Sequence, residues 1–183
     1  MIYLVGGAPR AGKSILGQRL CTTLKVGWVS TDLLMELLRV ANAAGRKVEW
    51  NAAPEAITAA AEWFFPYLER FIWGVNSLAD HYVIEGVDFL PAQVAQLSTQ
   101  YPIRAVFLGC SRMTLEGLNQ FPGRSQVYGS LPEAQRRQIV QDVPRWSAFI
   151  RQEAERFGYT YVDMVSDFSQ RLAEAEMVLT TSV

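Results

Sequence analysis

The sequence predicts an α/β fold: one parallel sheet with helices on both faces, in a single domain. Three observations carry that expectation. Five short apolar segments alternate with segments of helical spacing. A glycine-rich octet, GAPRAGKS at 7–14, sits between the first apolar segment and the first helical one. The chain has 183 residues, enough for one sizeable core and hardly for two.

The elements follow in order. Ile2 to Val5, stopped by Gly6 and Gly7, reads as a buried strand. Leucines at 16, 20 and 24 give residues 13–24 a helical spacing. VGWVS, 26–30, is a second short strand, and Thr31 or Asp32 is placed as the N-cap of the next helix. Its expected apolar face is Leu33, Leu34, Leu37, Leu38 and Ala41. Residues 43–53, with Gly45, Arg46 and Lys47, read as a loop. A helical pattern from Pro54 to about Ser77 contains Pro66, which predicts a kink or two helices.

HYVIEG, 81–86, is the third strand; Pro91 opens a short helix; IRAVFLG, 103–109, is the fourth strand. Residues 119–132 read as a loop of glycine, proline and polar side chains. Ile139, Val143, Trp146, Ile150, Ala154 and Phe157 form one helical stripe, which Pro144 is expected to break near its start. Gly158 closes that helix, YTYVDM is the fifth strand, and residues 167–179 form the last helix.

Five alternations imply right-handed crossovers and a parallel sheet. Ligands of such sheets bind at the carboxyl ends of the strands. Gly7, Asp32, Glu85 and Asp163 all fall at or just past those ends, so one cleft is expected to gather them.

The octet fits G-x-x-x-x-G-K-[ST] at every fixed position, in the strand-to-helix context the motif needs. Gly7 and Gly12 permit backbone angles that a Cβ forbids, so the main chain from Ala8 through Pro9, Arg10 and Ala11 can curl into an anion nest. Lys13 supplies a charge for the β- and γ-phosphates, Ser14 offers a hydroxyl to Mg²⁺, and the helix continuing through Ile15 presents its positive end. Arg10 occupies a variable position and is either near the γ-phosphate or a solvated loop residue.

A phosphate loop implies a nucleotide, not a reaction. The guanine-reading N-K-x-D and ABC-type signatures are absent, as is a run of four apolar residues ending in Asp; the nearest equivalent is YVIEG, with Glu85 at the strand end. Net charge is −1 and the pI ≈ 5.9, a balance with no general attraction for nucleic acid or anionic membrane. Cys21 and Cys110 stand far apart, His81 is the single histidine, and no apolar run is long enough to span a bilayer. With no signal-peptide pattern at the N-terminus, a cytoplasmic protein is expected.

GAPRAGKS, STDLL after the second strand, VIEG on the third and the arginine-bearing loop at 119–132 together resemble the nucleotide-kinase-like P-loop kinases. That group includes adenylate, shikimate, gluconate and 2-phosphoglycerate kinases and chloramphenicol phosphotransferase. The resemblance implies a three-layer fold with five parallel strands in the order 2-3-1-4-5, Mg·ATP as phosphoryl donor, and a mobile lid. It gives Asp32 the acidic position that contacts the acceptor hydroxyl or Mg²⁺, against the plain reading of a helix cap. It makes Glu85 a holder of Mg²⁺ through water, against a local ion pair, with Asp88 a weaker candidate. It places the lid at 119–132, where Arg124 is the residue expected to stabilise the transferring phosphoryl group. Arg136, Arg137 and Arg145 read as solvated or ion-paired, and a purine-binding loop is implied near Ser166 to Ser169.

The acceptor-binding segment is expected at 39–80. Its Trp50, Trp63, Phe64, Phe65, Tyr67, Phe71 and Trp73 are helix core on the plainer reading and a pocket wall on the other. The leading functional expectation is transfer to a hydroxyl of a small molecule. A nucleotide kinase would need several arginines at the acceptor, with Arg39, Arg46 and Arg70 available. A non-kinase nucleotide-binding module would need Lys13 but neither Asp32 nor Arg124. Polynucleotide 5′-kinase activity has no basic stripe to support it.

Overall fold

The computed structural model describes residues 1–41, 49, 51–78, 81–120 and 130–181. Its element order is β1 (Ile2–Gly7), α1 (Lys13–Leu24), β2 (Gly27–Ser30), α2 (Thr31–Val40), α3 (Pro54–Leu78), β3 (Tyr82–Glu85), α4 (Pro91–Ser98), β4 (Ile103–Gly109), α5 (Leu115–Gln120), α6 (Glu133–Arg156), β5 (Thr160–Asp163) and α7 (Phe168–Thr180). All four strand pairings are parallel and the order is β2-β3-β1-β4-β5, as expected.

Side-chain alternation along the central strands sorts the apolar residues into two cores. Ile2, Leu4, Ile84 and Phe107 face the side covered by α3, α4 and α6. Tyr3, Val5, Val83, Val106, Leu108 and Val162 face α1 and α7. Glu85 has the parity of Val83, so the sequence aims its carboxylate at α1. Register sets its height, because Val5 of β1 and Ser30 of β2 both lie opposite it.

Neither proline ends its helix, which corrects the two-helix alternative at Pro66 and the break expected at Pro144. α3 is one helix through Pro66, with Ala60, Ala61 and Phe64 buried before the proline and Leu68, Ile72 and Val75 after it. α6 is one helix through Pro144. Before Pro144, Ile139 and Val143 pack with Leu118 of α5; after it, Trp146, Ile150 and Ala154 pack on the sheet. Burial on both sides offsets a proline cost of about 3 kcal/mol. The aromatic residues of α3 divide: Phe64 is core, Trp63, Phe65 and Phe71 are half-buried against it, and Tyr67 and Trp73 are exposed.

α2 also differs from expectation. Its N-cap is Ser30, without a side-chain cap bond, and Thr31 and Asp32 lie inside the first turn. The helix phase that follows buries Thr31 and Met35, not Leu33 and Leu37, which are 57% and 68% exposed. The expected loop at 119–132 begins as α5, while residues 121–129, with Arg124, lie outside the described residues. So do Gly45, Arg46, Lys47 and Trp50. Among the described residues no helix is long and apolar enough to cross a membrane.

Candidate nucleotide-binding and phosphoryl-transfer site

The loop from β1 to α1 is built on two positive-φ glycines. Gly7, at φ 131°, ends β1 where the backbone of Leu108 on β4 leaves no room for a side chain. Gly12, at φ 85°, is the N-cap of α1, and a Cβ there would stand 2.9 Å from the ring of Phe168. Arg10 between them is also left-handed, at φ 64°. The tight path returns the chain so that the Lys13 ammonium donates to the Ala8 carbonyl at 2.6 Å. Pro9 and Ala11 complete the turn, and Ala11 is buried. The amides that open α1 receive no side-chain cap and no acidic residue stands in its first turn. That positive end is suited to an anion.

Lys13 is almost fully buried. Burial lowers its pKa below the ordinary lysine value, while Glu85, Asp32 and Asp88 oppose that shift and Arg10 adds to it. Three carboxylates thus act electrostatically on one ammonium, from residues at or just past the carboxyl ends of β2 and β3, beside the end of β1. Ser14 donates to Glu85 Oε1 at 2.9 Å, so the two residues expected at the metal do meet. Glu85 is 2% exposed at the end of β3. Ile15, next on α1, is nearly half exposed.

A hydroxyl and a carboxylate are hard oxygen donors of the kind Mg²⁺ takes, usually one or two from protein and the rest from water and phosphate. Among the described residues no group of three or more His, Cys, Asp or Glu is placed to hold a metal ion by itself. A cation beside Ser14 and Glu85 would therefore depend on phosphate and water for most of its shell.

Asp32 stands in the first turn of α2, exposed, with its charge within reach of Lys13 and Asp88. Asp88, the weaker sequence candidate, is half-buried just past the end of β3. It accepts a hydrogen bond from the Thr31 hydroxyl. Burial raises its pKa above the usual carboxylate range; the Thr31 bond opposes this, Asp32 adds to it, Lys13 opposes it and Glu85 adds to it. In the sequence Thr31 is only a cap candidate; the cue to a further role is its place beside Asp32 at a strand end.

Asp163 does not join this group. Its carboxylate accepts from the backbone of Ser111 at 3.0 Å and of Val165 at 3.3 Å. It lines a separate groove of about 400 Å³ beside β5, where Arg151 pairs with Glu155 and Arg171 with Glu174. Arg136 donates to Asn119, Arg137 pairs with Glu133 and Arg145 with Asp142, which agrees with their reading as partnered residues.

No protein-family model matches the chain, and no curated protein matches it either. Solved structures do. Shikimate kinase from Bacteroides thetaiotaomicron superimposes with a TM-score of 0.50 at 14% identity, over 97% of this chain and 94% of its own. Shikimate kinase from Acinetobacter baumannii, in complex with shikimate, gives 0.49 at 19% identity, over 94% and 88%. A gluconokinase from Sinorhizobium meliloti gives 0.49 at 16%, over 96% and 89%. The strand order, the octet's turn from β1 into α1 and the 0.50 superposition agree on one conclusion: the chain has the nucleotide-kinase-like P-loop fold.

Proposed function

We propose that this chain is an ATP-dependent kinase that transfers the γ-phosphoryl group of Mg·ATP to a hydroxyl of a small molecule. The observation that carries the reading is the convergence of Lys13, Ser14, Glu85 and Asp32 on one strand edge, beside a loop that fits the phosphate-binding pattern. In it, residues 7–15 bind the nucleotide's phosphates, and the Lys13 ammonium neutralises charge on them. Ser14 and Glu85 hold Mg²⁺, which supplies further neutralisation of the phosphoryl oxygens. Asp32 accepts or orients the acceptor's hydroxyl proton. Arg124, within the lid at 119–132, closes on the transferring group, and residues 39–80 bind the acceptor. Phe168, whose ring lies against Gly12, gives the purine a face to stack on.

A hydroxyl acceptor is favoured over a phosphate acceptor on electrostatic grounds. Asp32 and Asp88 would repel a second phosphate near the reacting centre. The described arginines of 39–80 are engaged elsewhere: Arg39 pairs with Glu36, and Arg70 lies 4.0 Å over the ring of Trp73. Arg70 also belongs to the half of α3 that runs toward the start of β3, the opposite edge of the sheet.

The test is acceptor-dependent ADP release across hydroxylated metabolites, antibiotics and nucleoside monophosphates. At least one hydroxyl acceptor is expected to turn over, with Lys13→Ala abolishing nucleotide binding or turnover. Asp32→Asn is expected to lower turnover roughly 10²-fold or more. Nucleotide binding without any acceptor-dependent release, unaffected by Asp32→Asn, would make the protein a binding module instead.

A further inference from the structure

We infer that Thr31 and Asp88 form a positioning pair that fixes the first turn of α2, and with it Asp32, over the phosphate loop. The inference deepens the proposed kinase reading and rests on it for its catalytic consequence. The pair joins two corners that are far apart in sequence. Thr31 is the first residue of α2, immediately after β2; Asp88 lies three residues past the end of β3. Their side chains meet through the Thr31 hydroxyl and Asp88 Oδ2.

Three features make this contact more than a passing polar pair. Thr31 is fully buried, so its hydroxyl needs a protein partner, and Asp88 is the one it has. A threonine in the first turn of a helix commonly serves the helix's own amides; here α2 has no side-chain cap at Ser30 and the Thr31 hydroxyl turns across to the neighbouring strand's loop. Third, Gly86 lies between them, and a Cβ on it would collide with the Thr31 side chain. The glycine after Glu85 thus leaves the space in which the clasp closes.

The catalytic consequence follows from adjacency. Asp32 is the next residue after Thr31, exposed, and held by no side-chain bond of its own among the described hydrogen bonds. Its carboxylate must nevertheless keep a fixed offset from Lys13 to serve an acceptor hydroxyl. A carboxylate displaced by about 1 Å loses on the order of 10²-fold in such a role. The clasp supplies that fixity from the residue beside it. Asp88 acts through Thr31 and requires only an acceptor oxygen, not a charge.

Four variants test this: Thr31→Val, Thr31→Ser, Asp88→Ala and Asp88→Asn. One readout needs no activity: the amide and carboxyl-carbon NMR signals of Asp32 in the free protein. The other is kcat and KM for Mg·ATP hydrolysis in water. Thr31→Val and Asp88→Ala should each shift the Asp32 signals and lower kcat about tenfold or more, with KM for ATP within about twofold. Thr31→Ser and Asp88→Asn should recover most of that loss, since each restores its half of the bond. The double variant Thr31→Val with Asp88→Ala should be no worse than either alone. Asp88→Asn as damaging as Asp88→Ala would overturn the inference and give Asp88's charge a direct role. So would Asp32 signals unmoved in Thr31→Val. Absence of acceptor-dependent ADP release by the wild type would count against the kinase reading alone, and the NMR comparison would still decide the clasp.

Discussion

Among single residues, the charge arrangement around Lys13 decides most of what can be tested. Asp88 gives a pH signature with a definite sign. Its folded pKa is raised, so the fold favours its protonated form. Its contribution to stability is therefore fully present below the usual aspartate value near 3.8 and is lost as pH rises through the folded value. Asp88→Asn removes that loss while keeping an oxygen for Thr31. Its denaturation midpoint relative to wild type should rise as pH goes from about 4 to neutrality. A constant difference across that range would show that Asp88 ionises in the fold as freely as in the unfolded chain. Asp32→Asn should behave differently. An exposed first-turn carboxylate contributes at most about 1 kcal/mol through the helix dipole, so its effect should fall on turnover, not on folding. The octet was legible in sequence because each of its positions answers to a local backbone or charge requirement. The Thr31–Asp88 bond was not, because it spans 57 residues and depends on which way α2 is turned.

Helices and strands separate according to what sets their boundaries. β1, β3 and β4 were plain from apolar runs, since strands buried on both faces carry little else. The order β2-β3-β1-β4-β5 came from the family resemblance, not from periodicity. Only part of the face expected of α2 holds: Leu34 and Leu38 pack against the core, but six apolar positions out of ten offer more than one face, and the exit from β2 at Ser30 selects Thr31 and Met35 over Leu33 and Leu37. At Pro66 and Pro144 local chain stiffness disfavours the helix, and the packing of both flanking halves overrides it. Pro144 offers a check at this level. Pro144→Ala restores an amide donor inside a helix already packed on both sides, so the thermal midpoint should rise, by the equivalent of about 1 kcal/mol or more. A lower midpoint would mean that the ring's own packing outweighs the missing bond.

For the whole molecule, the carboxyl edge of the sheet concentrates charge while both faces stay apolar, so ligand binding and global stability should be linked through one place. Mg·ATP at about 100 times its dissociation constant should stabilise the protein by about 2.7 kcal/mol, a midpoint rise of roughly 5–10 °C for a chain of this size. Lys13→Ala should erase that rise, and calorimetry reads it directly. The bond from the Lys13 ammonium to the carbonyl of Ala8 has a further consequence. An incoming anion meets a lysine already engaged by its own loop, so association is an exchange of partners. Lone inorganic phosphate or sulfate should fare poorly in that exchange. A long polyphosphate tail, gripping several amides at once, should prevail, and selectivity for chain length would then reside in one main-chain oxygen.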